Sequence, residues 1–363
     1  MKKILFIAAH RPNRSPSQRF RFEQYFTYLE LQGFSCDLSY LLDEKDDRAF
    51  YAPGNVWRKA GIVWKSYKVR KKNIRESTKY DVVFIQREAF MTGSSYFEKQ
   101  LKRKGPVVVF DFDDAIWKMD VSDGNSMFKW LKKPSKTEKL ISLANVIIAG
   151  NAYLASYASQ FNSHVNVIPT TVDTDIFKKN GHINTQTNKP VVIGWSGSLT
   201  TIKHVEMIVP VLERIKQKYG ERVSFLLIGD HRFSNRLPGF TVKEWDLATE
   251  VEDLSAIDIG IMPLPNDEWS KGKCGLKGLT YMSLEIPTIM SAVGVNTEII
   301  QHGVNGLLAA NLDEWFSHLC SLIDNADLRK SLGAAGRKTV VEKYSVLANR
   351  DKYLKIFKEC TKS

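Results

Sequence analysis

The chain has 363 residues, which is long for a single hydrophobic core, so we expect two domains. Its 43% hydrophobic and 25% charged residues are typical of a globular protein, and the four cysteines (Cys36, Cys274, Cys320 and Cys360) lie far apart without a CxxC pair. This spacing suggests neither a disulfide framework nor a zinc site and favours reduced thiols in a cytosolic protein. The net charge is +12, and residues 1–180 carry 30 Lys and Arg against 19 Asp and Glu, so we expect an anionic partner of the first half.

Short β-branched runs alternate with helical patterns from the beginning of the chain. The opening MKKILFIAAHRPN has too short an apolar core for a signal peptide and predicts a first strand, and no apolar run reaches the length of a membrane span. The strand-like runs of the first half are KKILFIAA, SCDLSYL, DVVFIQ, PVVVFDF, NVIIAG and VNVIP. Those of the second half are PVVIGWSG, SFLLIGD, TVKEW, DIGIMPL, PTIMSA and NGLLAA.

This alternation predicts α/β architecture with two doubly wound, Rossmann-like domains facing across a cleft. The polar segment KKNGHINTQTNKP separates the two series and is typical of a linker. We predict a first domain over residues 1–175, joined by the C-terminal helix at about 345–363, and a second domain over residues 176–344. Ligands of such sheets bind beyond the carboxyl ends of the strands.

Polar loops follow three predicted strands of the first half. Arginines in HRPNRSPSQRFRF and the step QRE after DVVFIQ suit recognition of phosphate or carboxylate, and they predict acceptor binding by Arg19, Arg21, Arg87 and Glu88. Asp113 and Asp114 end the run VVVFDFDD. These carboxylates either orient an acceptor hydroxyl or pair with the arginines to fix the loops. The acidic cluster resembles a metal site, but no histidine accompanies it and no required metal is expected.

A basic, tryptophan-bearing segment lies between the second and third predicted strands. Its cations and aromatic residues are typical of a helix that lies on an anionic membrane surface. The predicted membrane residues are Trp57, Arg58, Lys59, Trp64, Lys65, Lys68, Arg70, Lys71 and Lys72. A solvated helix whose aromatics pack on the sheet is the alternative. Binding of single-stranded nucleic acid is disfavoured because no nucleic-acid fold signature is present.

Two loops of the second half could hold a diphosphate. In VVIGWSGSLTTIKHVEM, Gly197 and Ser198 precede a helix that begins near Lys203, so the backbone could approach a ligand closely beside a cation. In KGKCGLKGLTYMSLEIP, three glycines punctuate a helix start that carries Lys273 and Lys277. Two cations at a helix N-terminus favour a bound anion there. The alternatives are an ordinary βα turn and a flexible loop with solvated lysines.

These motifs together resemble the retaining GT-B glycosyltransferases of family 4, over nearly the whole chain. The family's GR…KG turn resembles Gly197-Ser198 with Lys203, with Ser198 at the arginine position. Its Glu-x7-Glu segment is similar to GKCGLKGLTYMSLEIPT, where Gly272 and Thr280 stand at the glutamate positions. VNTEIIQHGVNGLLA and LRKSLGAAGRKTVVEKYS are similar to the family's closing segments.

The resemblance implies transfer of a sugar from a nucleoside diphosphate to an acceptor hydroxyl with retention, without a metal or other cofactor. Lysines and helix dipoles would stabilise the leaving diphosphate, and the expected catalytic residues are Lys203 and Lys277, with Asp113 and Asp114 on the acceptor side. From its place at the end of a predicted strand, Trp245 would either flank the base or pack in the core, and Glu250 would contact the ribose. The predicted donor-binding residues are Gly197, Ser198, Lys203, Trp245, Glu250, Lys273, Cys274, Gly275, Leu276, Lys277 and Thr280.

The sequence therefore predicts a cytoplasmic glycosyltransferase, peripheral on the inner face of the membrane, that extends a surface glycan or a lipid-linked acceptor. Its partners would be a nucleotide sugar, the acceptor and an anionic membrane surface, with no nucleic acid. One alternative is a transferase with a soluble acceptor. Another is a catalytically silent binder of sugar nucleotides or polyanions, which the missing glutamates keep open.

Overall fold

The structure, a computed structural model, describes residues 1–52, 54–118, 135–179, 189–237 and 239–362. The chain forms two compact units: unit 1 comprises Met1–Thr170, Gly272–Cys274 and Asn349–Ser363, and unit 2 comprises Thr171–Lys271 and Gly275–Ala348. Most of the predicted linker, residues 178–190, lies outside the described residues.

Unit 1 is built on a parallel sheet of six strands in the order β2-β1-β3-β4-β5-β6. The strands are β1 (Lys2–Ile7), β2 (Phe34–Ser39), β3 (Val82–Gln86), β4 (Val107–Phe112), β5 (Val146–Ala149) and β6 (Val165–Val167). The central strand β3 is buried along its whole length, as its uninterrupted apolar run predicts for a sheet covered on both faces. Because β2 lies on one side of β1 and β3 on the other, the strand order reverses between β1 and β3.

Among the residues that the structure describes, seven helices connect these strands, and the C-terminal helix completes the core. The helices are α1 (Pro16–Arg19), α2 (Phe26–Leu31), α3 (Glu44–Tyr51), α4 (Val56–Glu76), α5 (Tyr96–Arg103), α6 (Ser135–Leu143) and α7 (Ala152–Ala158). Short 3-10 turns cover Glu23–Tyr25 and Ser77–Lys79. From the C-terminal helix, the ring of Phe357 packs 6.0 Å from that of Phe6 and 6.2 Å from that of Phe84. These aromatic contacts attach the end of the chain to the first sheet.

Unit 2 repeats the plan with a second parallel sheet, in the order β12-β11-β10-β7-β8-β9. Its strands are β7 (Val191–Ser196), β8 (Val223–Gly229), β9 (Thr241–Glu244), β10 (Ile259–Met262), β11 (Thr288–Ser291) and β12 (Leu307–Ala309). The first strand of the series, β7, again lies in the interior, and the order reverses between β7 and β10. A crevice at the carboxyl ends of two such strands is where doubly wound sheets bind ligands.

The helices of unit 2 cover both faces of this sheet. They are α8 (Ile202–Glu206), α9 (Val209–Tyr219), α10 (Glu250–Ser255), α11 (Glu268–Lys271), α12 (Leu276–Ser283), α13 (Asn296–Ile299), α14 (Leu312–Asp324) and α15 (Ala326–Thr339). Short 3-10 turns cover Gly220–Arg222 and His231–Asn235, and a π-helical turn at Val340–Tyr344 leads into α16 (Val346–Cys360). Trp195, Leu212 and Leu319 are among the residues of the apolar core. The predicted α/β class with two doubly wound sheets is therefore confirmed.

Candidate functional site

The two loops predicted to hold a diphosphate follow the two strands between which the second sheet reverses. Strands β7 and β10 are adjacent and parallel, with Ile193 opposite Ile259 and Gly194 opposite Gly260. Their carboxyl ends therefore lie at the same edge of the sheet. One end leads to Gly197 and Ser198, and the other leads through α11 to α12.

The turn after β7 can form only because glycines occupy two positions. A Cβ atom at Gly197 would lie 2.3 Å from the ring of Trp195, and one at Gly229 would lie 2.1 Å from the carbonyl oxygen of Gly197. The Gly197 N–H donates to the Ile228 carbonyl oxygen at 2.9 Å. The turn is thus fixed against the end of β8.

Ser198 and Lys203 lie on the solvent side of this turn. The backbone N–H of Ser198 donates to Thr201 Oγ1 at 3.1 Å, and the Thr201 N–H donates back to the Ser198 carbonyl oxygen at 2.9 Å. Lys203 is exposed on α8, whose Ile202 and Val205 are buried in the core. The apolar face of this short helix therefore keeps the Lys203 ammonium group on the outside.

Helix α12 begins at the second loop and contacts the end of β7. Gly275 precedes it with φ of 72°, a left-handed conformation that favours glycine, and a Cβ there would lie 2.3 Å from Ile299 Cδ1. The buried Tyr281 hydroxyl accepts a hydrogen bond from the Ser196 N–H at 2.7 Å. Lys277, in the first turn of α12, lies with its Nζ 5.6 Å from the centroid of the Trp195 ring. The amide-bearing end of α12, a cation and the end of β7 thus meet at one place.

Thr280 and Leu276 also lie on α12 as predicted. Leu276 is the half-buried first residue of the helix, and Thr280 is buried with its hydroxyl donating to the Lys277 carbonyl oxygen at 2.7 Å. The hydroxyl proton of Thr280 is therefore used within the helix, while the oxygen can still accept.

Lys273 and Cys274 belong instead to unit 1. Lys273 Nζ lies 2.8 Å from Asp114 Oδ1, and the Cys274 thiol donates to the Asp113 carbonyl oxygen at 3.2 Å. Asn151 Nδ2 donates to the Lys273 carbonyl oxygen at 2.9 Å. Burial raises the pKa of Cys274, so its thiol is protonated and packed away. Because the thiol is enclosed by protein, it is the backbone of Cys274 that is left for the predicted contact with the donor, and this contact stays a prediction.

Trp245 and Glu250 are brought together at the end of β9. The indole Nε1 of Trp245 donates to Glu250 Oε1 at 3.0 Å, and the Trp245 N–H donates to the Gly229 carbonyl oxygen at 2.8 Å. Both side chains are half-buried. The pair therefore lies at the same edge of the sheet as the turn after β7, beyond strand β8.

In unit 1 the strand-end carboxylates pair with Arg87. Its Nε donates to Asp113 Oδ1 at 2.8 Å, and its Nη2 donates to Asp114 Oδ2 at 2.5 Å. Arg87 has φ of 60°, which is uncommon for a residue with a side chain and is found at functional sites. Two roles were open for Asp113 and Asp114, orientation of an acceptor hydroxyl and pairing with an arginine. Among the described residues both aspartates pair with Arg87. Glu88 accepts from Lys136 Nζ at 2.8 Å.

Arg21 is not available to an acceptor. Its side chain is fully buried, forms an ion pair with Asp111 and donates to the Ile168 carbonyl oxygen at 2.5 Å. The prediction of acceptor binding by Arg21 is therefore wrong, because the guanidinium group is enclosed in the core of unit 1. Arg19 is half-buried, with its guanidinium carbon 5.0 Å from the centroid of the Phe20 ring.

The structure shows a polar cluster at the end of β1 that the sequence reasoning missed. His10 Nε2 lies 2.9 Å from the Tyr51 hydroxyl and 3.8 Å from Asp47 Oδ1, and Gln18 hydrogen-bonds both the N–H and the carbonyl of His10. Burial lowers the pKa of His10 to about 4 against the opposing effect of Asp47, so the imidazole is neutral at pH 7. Asp47 lies in the charged stretch DEKDDRAF, which gives no sign of burial. The available signal was the histidine directly after a strand.

Helix α4 carries the predicted membrane residues, but three of its cations are engaged within the protein. Lys59 and Arg70 are buried, and Arg70 donates to the carbonyl oxygens of Ala89 and Ala8 at 2.5 and 2.7 Å. Lys65 pairs with two aspartates of unit 1, Asp43 and Asp46, at 2.6 and 2.5 Å. The prediction that Lys59 and Arg70 face a membrane is wrong, because both side chains lie on the face of α4 that is buried against the rest of unit 1.

The outer face of α4 remains aromatic and basic. Trp57 is 91% exposed and Trp64 is 60% exposed. Lys68 Nζ lies 5.4 Å from the centroid of the Trp64 ring, and Lys71 Nζ lies 5.8 Å from that of Tyr67. Arg58 and Lys72 are also exposed. Exposed tryptophans beside lysines are typical of a surface that contacts lipid headgroups.

The described residues contain neither a candidate membrane span nor a candidate metal site. No helix among them is long and apolar enough to cross a membrane. Nor do the described residues contain a group of three or more His, Cys, Asp or Glu side chains that could hold a metal ion.

Comparisons with known proteins agree with this architecture. Residues 190–325 match the family described as Glycosyl transferases group 1. No curated protein matches the chain significantly by sequence.

The chain is similar in structure to several solved proteins. Sucrose-phosphate synthase from Thermosynechococcus elongatus has a TM-score of 0.73 at 14% identity, over 99% of each chain. Anabaena HepE in complex with UDP-glucose has a TM-score of 0.68 at 13% identity, over 99% of this chain and 100% of that one. The lipopolysaccharide outer core galactosyltransferase WaaB has a TM-score of 0.62 at 16% identity, over 98% and 99% of the chains.

The fold is thus GT-B, as the sequence predicted, and the match over residues 190–325 confirms the predicted class of enzyme, a glycosyltransferase.

Proposed function

We propose that the protein transfers a sugar, with retention, from a nucleoside-diphosphate sugar to a hydroxyl of a membrane-associated glycan or lipid-linked acceptor. The proposal of a nucleoside-diphosphate donor rests on one observation. Two loops that require glycine, each followed by a lysine, lie where the strand order of the second sheet reverses. Gly197 and Gly275 fix the two turns, because a Cβ at either position would collide with Trp195 or Ile299, and Lys203 and Lys277 follow them in the chain. A diphosphate is the ligand that this combination suits best.

The chemical demand on this site is stabilisation of the leaving diphosphate. Negative charge grows on the diphosphate as the glycosidic bond breaks, so cations and amides already directed at it lower the barrier. Lys203, Lys277 and the first amides of α12 are the groups that we assign to this task. We propose that they act without a divalent cation.

The rest of the donor site departs from the pattern that the sequence resembles. By that resemblance, we infer that Gly272 and Thr280 occupy the positions of the family's two glutamates. We propose that the Thr280 hydroxyl oxygen accepts one hydrogen bond from the donor, and that Trp245 and Glu250 contact the base and the ribose. The solved HepE complex contains UDP-glucose, which supports a nucleotide sugar as the donor of this chain as well.

A thermal-shift screen with nucleoside diphosphates and their sugars tests the donor half. A ligand that binds the native state stabilises it by RT ln(1 + [L]/Kd), about 2.7 kcal/mol at a hundredfold excess over Kd. We expect one nucleotide to raise the melting temperature clearly above the others. A uniform absence of stabilisation at millimolar concentrations would contradict the proposal.

A catalytically silent binder is the second candidate, and the residues at the two glutamate positions favour it. A binder would be stabilised by the nucleotide but would neither hydrolyse the nucleotide sugar slowly nor transfer the sugar. Release of the nucleoside diphosphate from the stabilising donor, measured with and without acceptor membranes, separates the two functions. NMR of the product anomeric proton then tests retention.

The proposal that the acceptor is membrane-associated rests on the exposed tryptophans of α4. We expect Trp57→Ser combined with Trp64→Ser to weaken sedimentation with anionic liposomes at least about tenfold, because each large apolar side chain contributes about 1.5–3 kcal/mol when buried. Binding of the native protein should also fall as salt is raised. The matched control is Leu31→Ser, which removes another exposed apolar side chain of unit 1. Equal binding to neutral vesicles, or an unchanged double variant, would refute membrane association through this face.

A further inference from the structure

A pocket between α4 and α5 of unit 1 is lined mainly by aromatic side chains. Its volume is about 360 Å³, and pockets that hold small molecules measure about 300–1,000 Å³. The residues that line it are Tyr67 of α4, Tyr96 and Phe97 of α5, and Phe90, Thr92 and Ser94 of the segment between β3 and α5. Phe90 and Phe97 are buried, whereas Tyr96 is 40% exposed. The pocket therefore has an apolar floor and reaches the surface.

The rings of the floor are fixed against one another. The ring of Tyr67 lies 5.4 Å from that of Phe97 and 6.5 Å from that of Phe90, both in edge-to-face geometry. The rings of Phe90 and Phe97 are 5.0 Å apart. Because these contacts are already made within the protein, a ligand that enters the pocket does not have to order them.

A cation lies at the rim of the pocket. The exposed Lys71 donates from Nζ to the Tyr96 hydroxyl oxygen at 3.2 Å. The same Nζ is 5.4 Å from the centroid of the Tyr96 ring and 5.8 Å from that of Tyr67, and both rings line the pocket. An ammonium group held by aromatic rings keeps its full positive charge, so it attracts an anion.

The pocket is continuous with the exposed aromatic face of α4. The ring of Trp64 stacks on that of Tyr67, with 5.6 Å between the centroids and 4° between the planes. Trp64 is 60% exposed, and Lys68 Nζ lies 5.4 Å from the centroid of its ring. An aromatic surface with lysines along it thus leads from the proposed membrane contact to the floor of the pocket.

We propose that this pocket binds one anionic phospholipid of the membrane, with an acyl chain against Phe90 and Phe97 and the phosphate at the ammonium groups of Lys71 and Lys68. Complementarity selects this occupant, because the floor is apolar and the rim is positive. A neutral apolar molecule leaves the lysines unused, and free phosphate leaves the floor unused. The proposal rests on the proposed association with the membrane. The lipid holds the protein to the bilayer and takes no part in transfer of the sugar.

The test uses the full chain and three soluble probes, with dissociation constants measured by isothermal titration calorimetry at low ionic strength. The probes are monomeric dihexanoylphosphatidylglycerol, monomeric dihexanoylphosphatidylcholine, and glycerophosphoglycerol, which is the first headgroup without its acyl chains. We expect the phosphatidylglycerol to bind most tightly of the three. Monomeric lipid is required because a vesicle also binds the exposed tryptophans.

Two variants test the two parts of the pocket. Thr92→Trp places a large side chain on the lining, and we expect it to weaken binding of the phosphatidylglycerol about tenfold or more, because the acyl chain loses its apolar contacts. Lys71→Gln should weaken binding about fivefold, which is the usual contribution of one basic residue near an anionic surface. Lys79→Gln is the matched control, because Lys79 is an exposed lysine of unit 1 beyond the end of α4.

Absence of phosphatidylglycerol binding to the native protein, or binding unchanged in both Thr92→Trp and Lys71→Gln, would overturn the proposal. So would equally tight binding of the phosphatidylcholine or of the headgroup alone. Should Thr92→Trp fail to fold, Lys71→Gln decides the question, because Lys71 is exposed.

Failure of this lipid site is distinguishable from failure of the proposed membrane contact. If monomeric lipid does not bind but the double variant of Trp57 and Trp64 loses sedimentation with liposomes, the lipid site alone is refuted. If that double variant sediments normally but the phosphatidylglycerol binds in a manner that depends on Thr92 and Lys71, the contact through the tryptophans is refuted and the lipid site stands.

Discussion

Replacing Lys203 with alanine is expected to lower turnover about 100-fold to 1,000-fold, with the melting temperature nearly unchanged. The lysine is exposed on α8 and packs against nothing that the core needs, so its loss removes charge stabilisation rather than structure. Removing one preorganised donor from a developing anion costs about 2.7–4 kcal/mol of transition-state stabilisation. Lys277→Ala should act in the same direction, because Lys277 lies in the first turn of α12 beside the end of β7.

Steady-state kinetics at saturating donor distinguishes this role from simple binding. A lysine that acts on the departing diphosphate lowers kcat, whereas one that holds donor and transition state equally raises KM alone. Lys330→Ala is the control, because Lys330 is an exposed lysine of the same unit on α15. Unchanged turnover in both Lys203→Ala and Lys277→Ala would remove these lysines from the mechanism.

Replacing Arg21 with methionine is expected to lower the free energy of unfolding by about 3–5 kcal/mol. The substitution leaves Asp111 as an unpaired charge in the core, and breaking a buried ion pair from one side carries a cost of this size. It also leaves the Ile168 carbonyl oxygen without its donor. Urea denaturation of the variant and the native protein measures the difference.

A double variant shows how much of this loss in the free energy of unfolding comes from the unpaired charge of Asp111. Arg21→Met combined with Asp111→Leu should be less destabilised than Arg21→Met alone, because two apolar side chains of similar volume leave no buried charge. Acceptor KM in any variant that remains folded should match the native value. If Arg21→Met had native stability but a raised KM for the acceptor, Arg21 would be an acceptor-binding residue after all.

The alternation of strands and helices could be predicted from the sequence because each buried parallel strand is a short apolar run. The donor loops could also be located, since Gly197 and Gly275 mark turns that only glycine allows and the lysines beside them are close in the chain. What the sequence does not contain is the strand order. Only the sheet shows that β7 and β10 are neighbours and that the two loops therefore meet.

The fate of individual charged residues could not be predicted, because it depends on partners far away in the chain. The buried Arg21 pairs with Asp111, which is 90 residues away in the chain. The buried Arg70 donates to the carbonyl oxygens of Ala8 and Ala89, which follow β1 and β3. Both arginines lie in segments rich in Lys and Arg, and for this reason they were predicted to be exposed cations. His10 and Asp47 show the reverse error, because the fold places His10 Nε2 3.8 Å from Asp47 Oδ1 and buries the aspartate, although nothing in the local sequence connects the two residues.

The arrangement of α4 could be predicted from the sequence only in part. Trp57 and Trp64 are seven residues apart, so they share a face of the helix, and both are exposed. The same spacing places Lys59, Ile62 and Arg70 on the buried face, yet nothing in the local sequence says which face meets the sheet. The density of cations in this helix therefore overstates the charge that it presents to solvent.

The central claim is that unit 2 holds a nucleoside diphosphate at the carboxyl ends of β7 and β10. A crystal structure of the protein soaked with the nucleotide that stabilises it most tests this claim most directly. We predict phosphate oxygens about 2.7–3.2 Å from the first backbone N–H groups of α12 and from the ammonium groups of Lys203 and Lys277. A nucleotide bound with its phosphates away from Gly275 and both lysines would contradict the account.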